Sequence, residues 1–317
     1  MQKDIVRRPH VDDAHLPNSL SPLIKQLYAS RGVSSAQELE LQVSNLAPVG
    51  SMKGLDTGCE LLAHGITNQQ KIIVIGDFDA DGATSTALMM SALAMLGSTN
   101  HDFLVPNRFE YGYGLTPEIV EIAAAKGAQI LVTVDNGISC HQGVNKAKEL
   151  GLKVIITDHH LPGANLPQAD AIINPNQLGC SFPSKSLAGV GVAFYFMLAL
   201  RKYLRDAGWF STNNVTEPNI AQLLDLVALG TVADVVSLDA NNRILVEQGL
   251  KRIRAGATRP GISALIEIAN RTQSQLVASD FGFALGPRIN AAGRLDDMAF
   301  GINCRLAKDM GTARMMA

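Results

Sequence analysis

Cysteine, aromatic residues and long apolar runs are all scarce in this sequence of 317 residues. The four cysteines are scattered and form no CxxC pair, which argues against a disulfide framework and against a structural zinc site. The longest near-apolar stretch, 187–200, is shorter than the roughly 20 residues that cross a bilayer, so we expect a buried helix there. The first residues contain no apolar core of signal-peptide length. We therefore expect a cytoplasmic protein with free thiols and no membrane partner.

Neither sign of charge is in large excess, since the formal net charge is −2. The distribution is uneven, because residues 243–317 carry 11 Lys and Arg against 6 Asp and Glu, a net charge of +5 that leaves −7 for the rest. A basic segment beside an acidic remainder suits a phosphate-rich substrate, but ordinary solvated helix faces give the same pattern. Charge alone does not separate these two interpretations.

Short β-branched runs alternate with helix-like segments between residues 70 and 175. The runs predict strands over 71–76, 103–105, 130–134, 153–157 and 171–173. This alternation is typical of βαβ units and predicts an α/β fold in which helices flank a parallel sheet. From residue 186 onward the pattern predicts a mostly helical region.

These patterns divide the chain into three predicted parts. An N-terminal helical prelude over 1–65 contains the run 34–38, Ser-Ser-Ala-Gln-Glu, whose Ser and Gln or Glu residues have the spacing of a helix start. A catalytic domain covers 66–240, and a helical segment over 241–317 leads toward a further domain. The last residues favour a helix without a stop signal, so we expect a fragment of a longer protein.

Side chains typical of metal ligands follow three of the predicted strands. The first strand leads into Asp77, Asp79 and Asp81, the third into Asp135, and the fourth into the run 158–160, Asp-His-His. Parallel strands share one carboxyl edge, where open α/β folds bind their ligands. Acidic groups gathered at that edge repel one another unless a cation compensates them. The sequence therefore predicts a metal-dependent enzyme.

The alternating acidic residues Asp77, Asp79 and Asp81 would all point to one side of an extended backbone, and Gly82 would then turn the chain into a helix. An EF-hand loop also begins D-x-D-x-D-G, but it needs a Glu at its twelfth position, where this chain has Leu88. A haloacid-dehalogenase-like phosphatase also places D-x-D after its first strand, although it would not explain the histidine pair. It remains a minor alternative.

The other ligand candidates stand in different contexts. Asp135 before Asn-Gly could be a simple turn residue, but its place after a strand favours a ligand that bridges two ions. Adjacent histidines rarely fill a core, because each needs a partner, so His159 and His160 suggest a metal ligand beside an acid or electrostatic stabiliser. Asp158 would orient a ring or a turn.

Asp234 lies in an apolar stretch, where a carboxylate is costly to bury without compensation. It either caps a local structure or completes the metal site, and we favour the metal site. Ligands of the Asp and His type without thiolate favour Mn²⁺ or Mg²⁺ over structural zinc. Two such ions about 3.5–4 Å apart activate water and polarise a phosphoryl group, which is the chemistry of phosphoester hydrolysis.

In this order the motifs resemble the DHH phosphoesterase superfamily and, within it, the RecJ family of single-stranded-DNA exonucleases. The quoted stretches that carry the resemblance lie at 76–85, 105–109, 158–160, 173–176, 187–191 and 286–294. The likeness extends over essentially the whole chain, and together these motifs are highly specific. The resemblance implies a DHH-like fold and the 5′-to-3′ degradation of single-stranded DNA to mononucleotides, with two Mn²⁺ or Mg²⁺ ions, in DNA repair and recombination.

The resemblance also assigns residues. It implies metal ligands at Asp77, Asp79, Asp81, Asp135, His159 and Asp234. It implies catalytic roles for His160, beside the scissile phosphate, and for Asp135, and substrate contacts for Arg108, Arg288 and Asn290. Members of this family continue into a DHH-associated domain and an oligonucleotide-binding fold, so part of the DNA clamp is expected to lie outside this chain. Base-stacking aromatic residues are also sparse, at 5% of the chain.

Two other functions stay open from the sequence. One is a DHH-family hydrolase of small phosphoesters such as pyrophosphate, cyclic dinucleotides or short oligonucleotides. The other is an inactive fragment that binds DNA or repair and recombination proteins without cutting. A decayed structural relative is disfavoured, because such relatives lose metal residues and every candidate ligand is present here.

Overall fold

The computed structural model describes residue 6 and residues 9–106, 111–295 and 298–317, with the backbone alone described for 292–295. Five parallel strands form one sheet in the order β2-β1-β3-β4-β5. The strands are β1 Ile72–Ile75, β2 His101–Leu104, β3 Ile130–Val134, β4 Lys153–Thr157 and β5 Ala171–Ile173. The predicted parallel sheet is confirmed, and each strand lies within two residues of its predicted limits.

Fourteen α-helices lie among the described residues. They are α1 Pro22–Ala29, α2 Leu55–Thr67, α3 Ala80–Met95, α4 Pro117–Ala125, α5 His141–Glu149, α6 Gly189–Asp206, α7 Trp209–Thr212, α8 Leu224–Ala233, α9 Ala240–Arg254, α10 Pro260–Ile268, α11 Ala278–Asp280, α12 Gly286–Leu295, α13 Met298–Leu306 and α14 Met310–Met316. A π-helical stretch, Phe281–Leu285, joins α11 to α12. The predicted helical region after residue 186 is confirmed.

The inner strands β1 and β3 are buried on both faces, as parallel sheets require. Alternate residues of each strand face opposite sides, so Ile72 and Val74 contribute to one apolar cluster while Ile73 and Ile75 contribute to the other. The larger cluster includes α2, α3, α6 and α8, and the smaller one includes α4 and α5. The burial of these strands on both sides fixes their carboxyl ends as one rigid edge.

Helix α8 is buried around most of its circumference, and every residue over 224–231 is buried. A helix that is apolar all round belongs in the interior, where neighbours on every side fix its position. Its C-cap is Asp234. The packing of α8 therefore determines where that carboxylate lies relative to the sheet.

Helix α3 begins at Ala80, before the Gly82 at which the sequence predicted the turn into a helix. Asp79 is its N-cap, and the Asp79 carboxylate accepts a hydrogen bond of 2.9 Å from the backbone N–H of Gly82. Gly82 therefore lies in the first turn of the helix, not in a turn that precedes it. A Cβ there would lie 2.5 Å from the Cβ of Asp77, so this glycine permits close approach. The prediction of one extended backbone through Asp81 was wrong.

The N-terminal region is only partly helical. The predicted helix start at Ser34 becomes a short 3₁₀ turn, Ala36–Leu39, in which the Glu38 carboxylate accepts hydrogen bonds from the backbone N–H and hydroxyl of Ser34. Helix α2 packs against α6 and β5, and the larger apolar cluster runs from Met52 to Ile302. The division at residues 66 and 240 stays a prediction.

The predicted buried helix over 187–200 is confirmed as the first two thirds of α6, whose residues over 189–197 are all buried. Across the part of the chain that the structure describes, no helix combines the length and apolarity that a membrane crossing needs.

Candidate metal centre

The acidic and imidazole side chains gather at the carboxyl edge of the sheet. Asp77 follows β1, Asp135 follows β3, and His159 and His160 follow β4, while Asp234 reaches the same place from the end of α8. Nε2 of His159 lies 3.1 Å from Oδ1 of Asp135 and 3.5 Å from Oδ2 of Asp234. Residues up to 157 positions apart in sequence thus share one crevice.

The potential ligand atoms form overlapping groups. Asp77, Asp79 and Asp135 make one group, and Asp81, His159 and Asp234 make another, with the ligand atoms of each group within 4.8 Å of one another. Asp135 also groups with His159 and His160. Asp135 belongs to two of these groups, and its Oδ1 lies 3.1 Å from Nε2 of His159, a member of the remaining group. Its two oxygens could therefore be shared between two cations.

Three atoms at the centre of the crevice have no hydrogen-bond partner although they are buried. They are Oδ1 of Asp135, Nε2 of His159 and Oδ2 of Asp234. Buried polar atoms are normally satisfied, and leaving one unpaired costs about 1–3 kcal/mol. The three converge on one point, and a divalent cation there would be a partner to all of them. The residues present therefore fit a metal site.

The electrostatics of the buried carboxylates also fit a site for a divalent cation. Burial raises the pKa of Asp77 to about 7, and the nearby charge of Asp79 acts in the same direction. Burial and Asp79 likewise raise the pKa of Asp234 to about 7. Burial and neighbouring acids raise the pKa of Asp81 and Asp135. A bound divalent ion would reverse this effect by favouring the charged carboxylates.

The two adjacent histidines have opposite electrostatic environments. Burial lowers the pKa of His159 to about 4, and the charge of His160 acts in the same direction, so His159 is neutral at pH 7 and can offer a lone pair to a metal. The hydrogen bond to Asp158 raises the pKa of His160 to about 9, which makes that half-exposed ring cationic at pH 7. A neutral ligand and a cation thus stand side by side.

Asp158 holds this pair in place. Its Oδ1 accepts hydrogen bonds from Nδ1 of His160 at 2.7 Å and from the backbone N–H of His159 at 2.7 Å, while Oδ2 accepts one from the N–H of Ile138. Burial alone would raise the pKa of Asp158, but the hydrogen bonds from His160 and Ile138 lower it overall. The orienting role that the sequence suggested agrees with these contacts.

The segment 174–176, which follows β5, also holds the backbone of the two histidines in place. The Asn174 carboxamide donates to the backbone oxygen of His160 at 2.9 Å, and the Asn176 carboxamide donates to that of His159 at 2.6 Å. The sequence motifs include these asparagines, but the sequence alone assigned them no role. Their position at the end of the last strand, next to the strand that carries the histidines, was the available signal.

Asp81 has a second role that the sequence did not predict. Its carboxylate accepts hydrogen bonds from the backbone N–H groups of Gly189 at 2.6 Å and Val190 at 2.9 Å. Helix α6 has no side-chain cap of its own at Ala188, so Asp81 caps it from 108 residues away. Carboxylate oxygens have two lone pairs each, which leaves capacity for a metal.

The backbone has a positive φ at one candidate ligand and directly after another. Asp135 has a φ of 62°, and Val235, directly after Asp234, also has a φ of 62°. Positive φ is costly for a β-branched residue, and such strain tends to accumulate at functional sites. The Asn136 carboxamide stabilises the first turn by donating to the backbone oxygens of Ile75 and Val134.

We expect Gly189→Ala to disturb the centre through Asp135. A Cβ at this position would lie 2.6 Å from Oδ1 and 2.8 Å from Cγ of Asp135, too close for the carboxylate to keep its place. Loss of a positioning contact of this kind weakens metal affinity or activity by roughly 10- to 100-fold. Titration of Mn²⁺ or Mg²⁺ by calorimetry measures the effect.

Gly282→Ala is the matched control, because its Cβ would meet Val232 at an ordinary 3.6 Å. Equal metal affinity in both variants would show that the close approach at Gly189 does not hold Asp135.

A cleft of about 930 Å³ adjoins the centre, and it is bordered by Asp77, Asp79, Asp158 and His160. Half-exposed Tyr113 stands at this cleft with its ring edge-on to Phe78 and His160, and its hydroxyl donates to the backbone oxygen of Asp135. Sequence reasoning missed Tyr113, since no strand-end signal marks it. The cleft gives an open approach to the acidic crevice.

The three predicted substrate-binding residues lie in different surroundings. Arg108 lies outside the described residues. Arg288 is exposed and donates to the backbone oxygen of Ala284 in the preceding turn. The Asn290 carboxamide oxygen accepts a hydrogen bond of 2.8 Å from the N–H of Ala80, so this side chain connects α12 to the acidic loop, residues 77–81. Contact of these residues with substrate stays a prediction.

Comparison with known proteins agrees with this geometry. A family model described as the DHH family, N-terminal domain, matches residues 71–231. The chain is 62% identical over 316 residues to the single-stranded-DNA-specific exonuclease RecJ of Salmonella typhimurium, covering 100% of this chain and 55% of that protein. It is 37% identical over 302 residues to RecJ of Bacillus subtilis, covering 94% of this chain and 36% of that protein. The chain thus spans about half the length of the first of these relatives.

Solved structures give the same result. Exonuclease RecJ bound to manganese superposes with a TM-score of 0.73 at 35% identity, covering 84% of this chain and 64% of that one. RecJ in complex with Mn²⁺ from Thermus thermophilus superposes with a TM-score of 0.76 at 32% identity, covering 94% of this chain and 41% of that one. With about half of its residues matched by the family model and the sheet, acidic crevice and histidine pair in place, the chain belongs to the DHH family.

Proposed function

We propose that this chain is the catalytic part of a two-metal phosphodiesterase that removes mononucleotides from the 5′ end of single-stranded DNA. The observation that carries the proposal is the set of three overlapping ligand groups, two of which share Asp135 and two of which share His159, with three unpaired buried atoms among their members. The similarity of the whole chain to proteins described as single-stranded-DNA-specific exonucleases supports the choice of substrate. The 5′ polarity rests on the family resemblance.

The proposed cofactors are two Mn²⁺ or Mg²⁺ ions, which agrees with the oxygen-rich ligand set and with the ions named for the related structures. Asp77, Asp79 and Asp135 would hold one ion, and Asp81, His159 and Asp234 the other, with Asp135 shared. When bound, such a pair activates water and neutralises phosphate charge.

The protein's own groups divide the remaining work. His160, held as a cation by Asp158, faces the cleft and would stabilise the negative charge of the scissile phosphate or donate a proton to the leaving oxygen. Neutral His159 offers its lone pair inward. Arg288, together with Arg108, is proposed to hold DNA phosphates, with Asn290 beside them. Repair and recombination proteins as partners, and a cytoplasmic location, stay predictions.

Digestion of end-labelled oligonucleotides tests the proposal. With Mn²⁺ or Mg²⁺ we expect mononucleotides from single strands and far slower cleavage of the matched duplex. Parallel reactions with 5′ and 3′ labels give the polarity, because removal from the 5′ end releases a 5′ label in the first turnover.

Pyrophosphate, cyclic dinucleotides and short oligonucleotides, offered under the same conditions, separate the alternatives. Turnover of these alone would replace the exonuclease proposal with a small-phosphoester hydrolase. Binding of labelled single strands without any turnover would instead indicate a DNA-binding fragment without activity.

A further inference from the structure

A second recess, of about 380 Å³, lies away from the metal centre. Ser91 and Met95 of α3, Asp225 of α8, and Arg252, Arg259 and Arg305 contribute to its wall. Helices α3 and α8 each have a candidate metal ligand at one end and a residue that lines this recess toward the other end. Asp79 caps the start of α3 and Asp234 the end of α8, and Ser91 and Asp225 lie roughly 18 and 14 Å along the respective helices from them.

Positive charge is in excess in this recess. Asp225 is buried and pairs with Arg259, whose Nε lies 3.0 Å from Oδ2 and whose Nη2 lies 3.1 Å from Oδ1. The hydroxyl of Thr258 and the backbone N–H of Arg259 also donate to Oδ2 of Asp225. One fully engaged carboxylate thus stands against three guanidinium groups, which leaves a charge of +2.

Arg305 is the most unusual of the three. It is only 2% exposed, its Nη1 donates to the backbone oxygen of Gly301, and its Nε has no hydrogen-bond partner. Among the described residues no carboxylate lies within 4 Å of its guanidinium. Burial lowers the pKa of Arg305 to about 10, and the charge of Arg259 acts in the same direction, so the group is still a cation at pH 7. A buried, uncompensated cation is expensive.

Arg252 shares this property. Its Nε is buried without a partner, and within the described part of the chain it forms no ion pair. Helix α10 begins beside the recess, since its N-cap is Arg259, and that end has no side-chain cap. The N–H of Arg259 already donates to Asp225, Pro260 has no N–H, and those of Ile262 and Ser263 bond to the Arg259 oxygen, so this end adds partial positive charge to the recess. Stabilisation of the last turn of α13 by Arg305 would be a purely structural explanation, but it does not account for Arg252.

We propose that this recess is a binding site for a small oxyanion of the phosphate class, held by Arg252, Arg305 and the Arg259 end of α10. A tetrahedral dianion matches the excess charge, and it would give Arg252 and Arg305 the negatively charged partner that neither has among the described residues. The site is separate from the proposed catalytic centre, and it goes beyond the proposed function.

Calorimetric titration of the metal-free chain with inorganic phosphate tests the site. Chelator removes divalent ions, and sodium chloride keeps the ionic strength constant. We expect one binding event that Arg252→Gln weakens by about tenfold or more, the loss of one charge-assisted contact. Lys251→Gln is the matched control, because this neighbouring cation is exposed and pairs with Glu247 along the helix. It should bind phosphate as the unchanged chain does.

Two further variants fix the location. Arg305→Gln should also weaken phosphate binding, and the melting temperature of this variant shows whether it folds. If Arg305→Gln does not fold, Arg252→Gln still tests the site, because Arg252 is only half-buried. Asp135→Asn should leave phosphate binding unchanged. No binding by the unchanged chain, equal binding by Arg252→Gln, or loss of binding in Asp135→Asn would each overturn the proposal. DNA digestion by Arg252→Gln should stay normal, which separates this result from that of the proposed function.

Discussion

Asp135→Asn is expected to abolish cleavage of single-stranded DNA while making the metal-free protein more stable. The substitution removes a carboxylate that belongs to two of the three ligand groups, so kcat should fall by at least roughly 100- to 1000-fold. It also removes a buried charge that lies among Asp77, Asp79 and Asp81, whose repulsion the metal-free fold has to bear. Single-turnover digestion and thermal unfolding in the presence of chelator measure the two effects.

Asp102→Asn is a matched control for this variant, because Asp102 is a half-exposed residue of β2, away from the metal centre, whose carboxylate pairs with Lys126 at the surface and accepts a hydrogen bond from the N–H of Phe103. It should cut DNA normally. Near-normal turnover by Asp135→Asn would rule out the bridging role, and a lower metal-free melting temperature would contradict the repulsion argument.

Removal of divalent ions should make stability fall as the pH rises from about 5 to 9. Asp77 and Asp234 have a pKa of about 7 in the folded protein against an ordinary value of 3.8, so between these values the folded state holds protons that the unfolded state has lost. His160, with a pKa of about 9 against 6.5, extends the decline upward. His159, with a pKa of about 4 against 6.5, makes the stability rise with pH between these values, but this single group does not offset the decrease caused by two or more carboxylates.

Saturating Mg²⁺ should flatten this profile, because a cation favours the ionised carboxylates. The increase in melting temperature on adding Mg²⁺ should therefore grow with pH, and it should be small in Asp135→Asn. Denaturation curves at several pH values, with chelator and with Mg²⁺, provide the measurement. A flat metal-free profile, or a Mg²⁺ effect that does not depend on pH, would refute the proposed crowding of buried carboxylates.

Much of the fold could be predicted from local patterns. The strands were found because apolar, mostly β-branched runs of three to six residues stand out between amphipathic segments, and their parallel order follows from the alternation with helices. The helix starts were less accurate. At α3 the cap is Asp79, and the following Gly82 looked like a turn although it lies inside the helix.

The candidate site was predictable in its members but not in its arrangement. Strand ends bring Asp77, Asp135 and His159 to one edge in any parallel sheet of this order. The sequence could not show that Asp81 would leave its two neighbours to join His159 and Asp234, or that it would cap α6. Nor could it indicate that Asn290 holds the acidic loop from 210 residues away. These contacts depend on how the helices pack against the sheet.

The sequence by itself determined the parallel sheet and the chemistry at its edge, because strand periodicity and the residue after each strand are local properties of the chain. Only the tertiary structure decided which carboxylates face each other, that His159 is neutral while His160 is a cation, and that Arg305 is buried without a counter-charge. The physical reason is that electrostatic energies depend on distance and burial, and both are set by packing between segments far apart in sequence.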